Sequence, residues 1–336
     1  MGSDINQRNK AAALTLWAAL DRDPDTALPL LDALEQWQGP APIGIHTQAA
    51  DIVAALFAPL RAAIPDLRRE THILMGGQSN AHEDGHGDGA WWVAGTGYYT
   101  GRATAPAFGI PARDHDLRIR WGEFLRFDAQ GRVTHAQTIW DFVDWFDQIG
   151  LPALPAPRGA AHVFPAPTAY DGVLLEPQDN NATDASMALG RALIFGGLNR
   201  FDETDLSSMG MARFFHPDVK WYGPGGIGAC LSLSAFETLH QRPWLTAFPD
   251  RKVMHLESLF AEDRMVAASG PMGVVATHTG PYLDHPPSGA RIEVSGLDFW
   301  LRTDGQFTEN WVFVDMVHLF AQMGVDLFAR VREPAA

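Results

Sequence analysis

At 336 residues, 46% of them hydrophobic and 19% charged, the chain has apolar mass for roughly two domains of ordinary size. A formal net charge of −15, with no run of Lys and Arg, excludes a phosphate-tracking surface and disfavours anionic membranes. The single cysteine, Cys230, excludes an intramolecular disulfide. The stretch "RNKAAALTLWAAL" (8–20) imitates a signal peptide but lacks a small-residue cleavage site, and no apolar run reaches the ~18 residues of a membrane span. These features predict a soluble, cytoplasmic protein without nucleic-acid or membrane partners.

In chain order, helical spacing comes first, in "AAALTLWAALD" (11–21) and "AADIVAALFAPLRAAIP" (49–65). The loop "HEDGHGD" (82–88) holds metal-capable side chains but no fixed ligand spacing, and it reads as a Gly-rich hairpin loop rather than a metal site. Period-two alternation follows in "LRIRWGEFLRF" (117–127) and "VTHAQTIW" (133–140), the pattern of antiparallel strands. The Pro- and Ala-rich stretch 151–184 reads as an extended linker packed across a domain surface. Helical spacing then returns in "MALGRALIFGGLN" (187–199), and strand alternation in "RIEVSGLDFWL" (291–301) and "FTENWVFV" (307–314). Helices before strands predict an α+β domain, with helices packed on one curved sheet.

The order repeats because the sequence repeats. Residues 37–66 align without gaps on 221–250 with nine of 30 identical, including Trp37/Trp221, Gly39/Gly223 and Asp66/Asp250. Residues 131–150 align on 305–324 with seven of 20 identical, including Asp141/Asp315 and Gly150/Gly324. Two colinear matches at offsets of 184 and 174 predict a duplication, with a first repeat over 1–150, a linker over 151–184 and a second repeat over 185–336.

Four carboxylates stand in apolar surroundings. Alternation places Glu123 alone among Ile119, Trp121, Leu125 and Phe127, and Asp298 alone among Val294, Gly296 and Trp300. An isolated carboxylate on an apolar face has a raised pKa, suited either to acid–base work or to a structural ion pair. On the last strand of each repeat, the same spacing groups His135, Gln137, Ile139 and Asp141, and Glu309, Trp311, Phe313 and Asp315. If adjacent strands face one cavity, Glu123 meets Asp141 and Asp298 meets Asp315. Asp141 and Asp315 also stand where an N-cap belongs, directly before an apolar helical pattern ended by Gly150 or Gly324. "GPGGIG" (223–228) lacks the Lys-Ser/Thr of a phosphate loop and reads as a turn. His278 sits where the first repeat has Tyr99, and both side chains can donate to an oxyanion.

"HTGPYLDHPPSG" and "DFWLRTDGQFTENWVFVDMVHLFAQMG" resemble the SnoaL-like polyketide cyclases, of the nuclear transport factor 2-like superfamily. In the first repeat the likeness rests mainly on "GIPARDHDLRIRWGEFLRFDAQGRV" and "DFVDWFDQIG". The resemblance implies two tandem cone-shaped α+β barrels, each with a pocket between sheet and helices. It implies cofactor-independent acid–base chemistry on a small, partly apolar carbonyl compound, of cyclase, isomerase or dehydratase type. The fold also hosts epoxide and ester hydrolases and non-catalytic binders. Carried onto this chain, the family's general acid/base position falls on Asp315 and Asp141. The candidate catalytic residues are then Asp315, Asp298, His278, Asp141 and Glu123. Trp221, Tyr222, Trp311, Phe313, Trp37, Tyr99, Trp121 and Gln137 are candidates for lining a pocket. No metal and no cofactor is expected. The fused repeats would form an intrachain pseudo-dimer, with a further homodimer left open. The second repeat fits the family's pattern better.

Overall fold

The structure, a computed structural model, describes residues 2–161, 163–205 and 207–332. It contains two α+β domains built alike. In the first, helices α1 (Gly2–Arg22) and α2 (residues 49–63) cover a sheet of β1 (Gln36–Gln38), β2 (Ile45–His46), β3 (Arg68–Gln78), β4 (Trp91–Ala103), β5 (His115–Phe127) and β6 (Val133–Trp140). Short helix α3 (Phe142–Gln148) closes it. In the second, α4 (Asn180–Gly196) and α5 (residues 233–247) cover β7 (Phe215–Tyr222), β8 (Ala229–Cys230), β9 (Lys252–His255), β10 (Ser258–Glu262), β11 (Met265–Thr277), β12 (Arg291–Thr303) and β13 (Gln306–Val314). Helices α6 (Met316–Gln322) and α7 (Leu327–Arg332) end the described chain. Helix α4 begins at Asn180, capped by Asp179, inside the stretch expected to be linker.

The strand orders match: β2-β1-β6-β5-β4-β3 in one sheet and β8-β7-β13-β12-β11-β10 in the other, with β9 paired to β11. Each sheet is mixed rather than wholly antiparallel, because β1 lies parallel to β6 and β7 parallel to β13. The two long central strands β4 and β11 carried no readable sequence signal. Nearly every residue of β4 is buried, so neither strand face is marked by polar residues, and β11 is interrupted by a bulge between Gly270 and Val274.

One face of each sheet turns towards its own helices. The other faces pack against each other, where Met75, Trp92, Phe124 and Ile139 of the first domain meet Phe260, Leu297, Phe299, Trp311 and Phe313 of the second. The Phe124 and Phe299 rings lie 5.2 Å apart at the centre of this contact. A buried ion pair locks its edge: Lys10 Nζ of α1 donates to Glu262 Oε1 of β10 at 2.6 Å, and Gly76 N–H donates to Oε2 at 2.7 Å. The chain between the domains crosses the same layer, with Thr168 N–H on Glu309 Oε2 (2.9 Å) and Trp311 Nε1 on the Pro165 carbonyl (2.9 Å).

Strand register corrects the expected grouping of carboxylates. Residues directly opposite on neighbouring strands share a face. Glu123 is opposite Thr138, and Asp298 is opposite Val312. Hence Glu123 and Asp298 point at the helices, whereas Gln137, Ile139, Trp311 and Phe313 point at the other domain. The alternation within each strand was right, but the phase between strands was off by one residue.

Asp141 and Asp315 therefore do not share a pocket with Glu123 and Asp298. Each stands at the domain boundary and does two jobs. Asp141 Oδ1 accepts from Asp144 N–H at 3.1 Å, capping α3, and its Oδ2 accepts from Gly225 N–H of the other domain at 2.8 Å. Asp315 Oδ1 accepts from His318 N–H at 2.9 Å, capping α6, and its Oδ2 accepts from Ala41 N–H at 2.7 Å. Ala41 and Gly225 are equivalent positions of the duplicated "GPAPIG" and "GPGGIG" turns. The repeats thus grip each other reciprocally. At Gly225 a Cβ would lie 2.8 Å from Asp141 Oδ1 and 2.6 Å from Asp144 N, so the close approach requires glycine.

Candidate active site

The helix-facing sides of the two sheets differ. In the second domain a cavity of about 190 Å³ lies between β11–β13 and helices α4 and α5. Its wall is largely apolar and aromatic, with Ile194, Phe215, Trp221, Phe236 and Trp244. Asp298 stands in this wall. It is half-buried, surrounded by protein, and it lines the cavity. Asn310 Nδ2 donates to Asp298 Oδ1 at 3.3 Å and to the Phe299 carbonyl at 3.0 Å. Burial pushes the Asp298 carboxyl up to about 7, against which the Asn310 hydrogen bond pulls only weakly.

Further polar groups lie in the wall. His240, from a π-helical stretch of α5 (Phe236–Gln241), stacks on Trp221 with ring centroids 4.2 Å apart. Burial, and then the charge of Arg251, lower its pKa to about 3, so at neutral pH the ring is uncharged. Arg251 also lines the cavity and is only 8% exposed. Burial lowers its pKa to about 10. Its guanidinium donates through Nη1 to the Leu198 carbonyl at 2.5 Å.

In the first domain the matching space is full. Trp17, Tyr99, Trp121 and Trp140 are buried there, with Trp17 edge-on to Trp121 at 5.3 Å and Tyr99 to Trp140 at 5.7 Å. Glu123 is held among them. Trp17 Nε1 donates to its Oε1, and Thr138 Oγ1 donates to its Oε2 at 2.8 Å. Burial raises the Glu123 pKa, opposed by the nearby Arg69 guanidinium, which is itself bound to Asp21 at 2.9 Å. This carboxylate has the environment of a structural ion-pair network.

The remaining candidates fall elsewhere. Of the expected pocket residues, Trp221 and Phe313 reach the cavity wall, and Phe313 also packs under Arg120, 4.1 Å from its ring centroid. Trp37, Tyr99 and Trp121 belong to the packed core of the first domain. Tyr222, Trp311 and Gln137 lie in the layer between the sheets, Gln137 donating to Ser295 Oγ at 3.0 Å. His278 does not match Tyr99. Tyr99 is opposite Ile119, and the corresponding pair in the second sheet is Val274 with Val294. His278 follows β11, is fully buried, stacks on Phe248 at 5.2 Å and accepts from Ser288 N–H at Nδ1 (3.2 Å); it is absent from the cavity wall. Burial lowers its pKa. The 82–88 loop is docked by Arg191 of α4, which donates to the Asn80, His82 and Glu83 carbonyls. Among the described residues no three His, Cys, Asp or Glu side chains gather as a metal site, and no helix is long and apolar enough to cross a membrane.

Sequence reasoning missed Arg251, His240 and Asn310. The duplication held a signal for two of them. At the offset of 184, His240 replaces Leu56, and Arg251, one position beyond the aligned block, replaces Leu67. Leu56 is a fully buried core residue and Leu67 packs against the core, so a polar replacement at either position marks a site freed from that packing.

Residues 198–323 match the family model described as SnoaL-like polyketide cyclase. No curated protein sequence matches the chain. Similar solved structures include AclR from Streptomyces galilaeus, assigned as a hydroxylase (26% identity, 42% of this chain and 82% of that one, TM-score 0.35). A protein of Jannaschia sp. CCS1, assigned as a SnoaL-like polyketide cyclase, is 18% identical over 43% of this chain and 96% of its own (TM-score 0.36). IdmH from Streptomyces antibioticus, assigned as a polyketide cyclase, is 22% identical over 42% and 97% (TM-score 0.31). The chain is a tandem pair of α+β domains built alike, and the second of them, over residues 198–323, matches the SnoaL-like polyketide cyclase model.

Proposed function

We propose that this protein is an acid–base enzyme that works in the cavity of its second domain, with Asp298 as the proton-transferring group. The observation that carries this reading is a carboxyl set in an apolar cavity wall, beside Asn310 and no cation, with its pKa moved to about 7. A group poised near neutrality can take a proton and return it with little thermodynamic cost in either direction. The apolar wall suits a small carbonyl compound. Removal of a proton alpha to the carbonyl by Asp298 would give an enolate. Return of that proton at a second atom would complete an isomerisation, and attack of the enolate on a second carbonyl, with Asp298 giving its proton to the alkoxide so formed, would complete a ring closure. The reaction draws on no group beyond the side chains named here. The first domain is the supporting half, and Asp141 and Asp315 hold the two halves together.

The test is solvent deuterium incorporation into a small aryl ketone such as phenylacetone, followed by mass spectrometry. Wild type should exchange the alpha protons faster than buffer, Asp298→Asn should lose that excess, and Glu123→Gln should keep it. Exchange undiminished in Asp298→Asn would remove Asp298 from the chemistry. No excess exchange in wild type would favour a binding protein on the same fold.

A further inference from the structure

Arg251 is a buried cation without a counter-ion. Among the described residues its guanidinium forms no ion pair, and its one hydrogen bond is to the Leu198 carbonyl. A guanidinium carries five N–H donors in a planar fork. Leaving such a charge buried and uncompensated is costly, and the duplicate domain carries the neutral Leu67 at the matching offset. The side chain lines the same cavity as Asp298. Beyond burial, the charge of Arg251 also acts on His240, lowering its pKa. His240, neutral and stacked on Trp221, stands beside Arg251 as a second polar contact.

We infer that Arg251 is a carboxylate receptor, and that the natural ligand is a small, largely apolar acid whose carboxylate sits on Arg251 while its reactive carbon faces Asp298. The inference rests on the cavity of the second domain being the working site, but not on Asp298 being its base. A planar carboxylate matches the guanidinium fork and supplies the missing negative charge. The intervening aromatic wall accepts a hydrocarbon or aryl body. The size is limiting: a cavity of roughly 150 Å³ holds benzene, so one of about 190 Å³ takes a single ring with a short chain.

The probes are 3-phenylpropanoate and its isostere 3-phenylpropanamide, titrated calorimetrically into the full chain. Wild type should bind the acid more tightly than the amide, on the order of tenfold or more, with one site per chain. Arg251→Met should abolish that preference, and Arg251→Lys should retain part of it. Equal binding of acid and amide to wild type, binding of neither at millimolar concentration, or a preference that survives in Arg251→Met would each overturn the inference. The wild-type comparison decides even if Arg251→Met fails to fold. A carboxylate preference that persists while Asp298→Asn exchanges protons like wild type would sustain the receptor and sink only the base.

Discussion

Where β5 of the first domain carries Trp121, opposite Trp140, β12 of the second carries Gly296, opposite Val314. Where β4 carries Tyr99 opposite Ile119, β11 carries Val274 opposite Val294. Three large rings in one sheet thus become a glycine and two valines in the other, at the same register. On the helix side the exchange runs from apolar to polar, Leu56 to His240 and Leu67 to Arg251. The difference teaches how a duplicated fold divides labour. Filling one interior with aromatics gives a rigid support, and emptying the other leaves a chamber whose few polar groups are free for chemistry. The paired carboxylates follow suit. Glu123 is held by Trp17 and Thr138, and Asp298 faces the chamber with Asn310.

The comparison can be broken by experiment, most forcefully in the packed half. Trp121→Ala removes a fully buried ring from a closed core, and denaturant unfolding should show a loss of about 3–5 kcal/mol. Next in size is Asp298→Asn, whose effect depends on pH. A carboxyl with a folded pKa of about 7, above the ordinary 3.8, holds its proton longer in the folded than in the unfolded state. Wild-type stability therefore falls as pH rises between those values and stays low above them. Asn mimics the protonated form, so the variant should match wild type near pH 4 and exceed it at pH 8 by on the order of 4 kcal/mol. Glu123→Gln should have the same sign at pH 8, because burial raises the Glu123 pKa too, against the pull of Arg69, Thr138 and Trp17; unfolding curves of the two variants side by side decide between parallel and opposite behaviour.

Asp141→Ala and Asp315→Ala should cost about 2 kcal/mol each, the sum of a helix cap and a charged acceptor for the opposing turn. The two losses should be alike, since the contacts are reciprocal, and ligand binding in the chamber should persist. A loss of binding without a loss of stability in Asp315→Ala would restore that residue to the site. Gly296→Leu should change stability least, costing about 1 kcal/mol, because a Cβ there presses on the Phe313 carbonyl at 3.3 Å, tighter than ordinary contact, and meets nothing else within 4 Å. It should nevertheless block the chamber, read as lost binding of a small aryl acid.

Much of the fold was legible because it was written twice. The repeats at 37–66 and 131–150, the first helices and the strands over 117–127 and 291–301 all follow from pattern and periodicity. Glu123 and Asp298 were placed on the same strand face as the apolar neighbours they keep in the fold, since alternation within one strand is a local property. What failed was the relation between strands. A turn one residue longer or shorter inverts the partner strand's facing, and no local signal reports it. That single phase error put Asp141 and Asp315 into a pocket, when their cap position before α3 and α6 was the sound part of the reading. The chamber itself was hidden because it is made of absences. Gly296 and Val274 announce nothing unless set against Trp121 and Tyr99.

The most direct test of the account is the titration of the Asp298 carboxyl in the intact chain. Protein labelled with 13C at the aspartate carboxyls, compared with Asp298→Asn to assign the resonance, would report it by NMR. The account predicts a midpoint near pH 7 for this one carboxyl. A midpoint near 4, as for an ordinary solvated aspartate, would contradict the claim that the hollow domain tunes Asp298 for proton transfer.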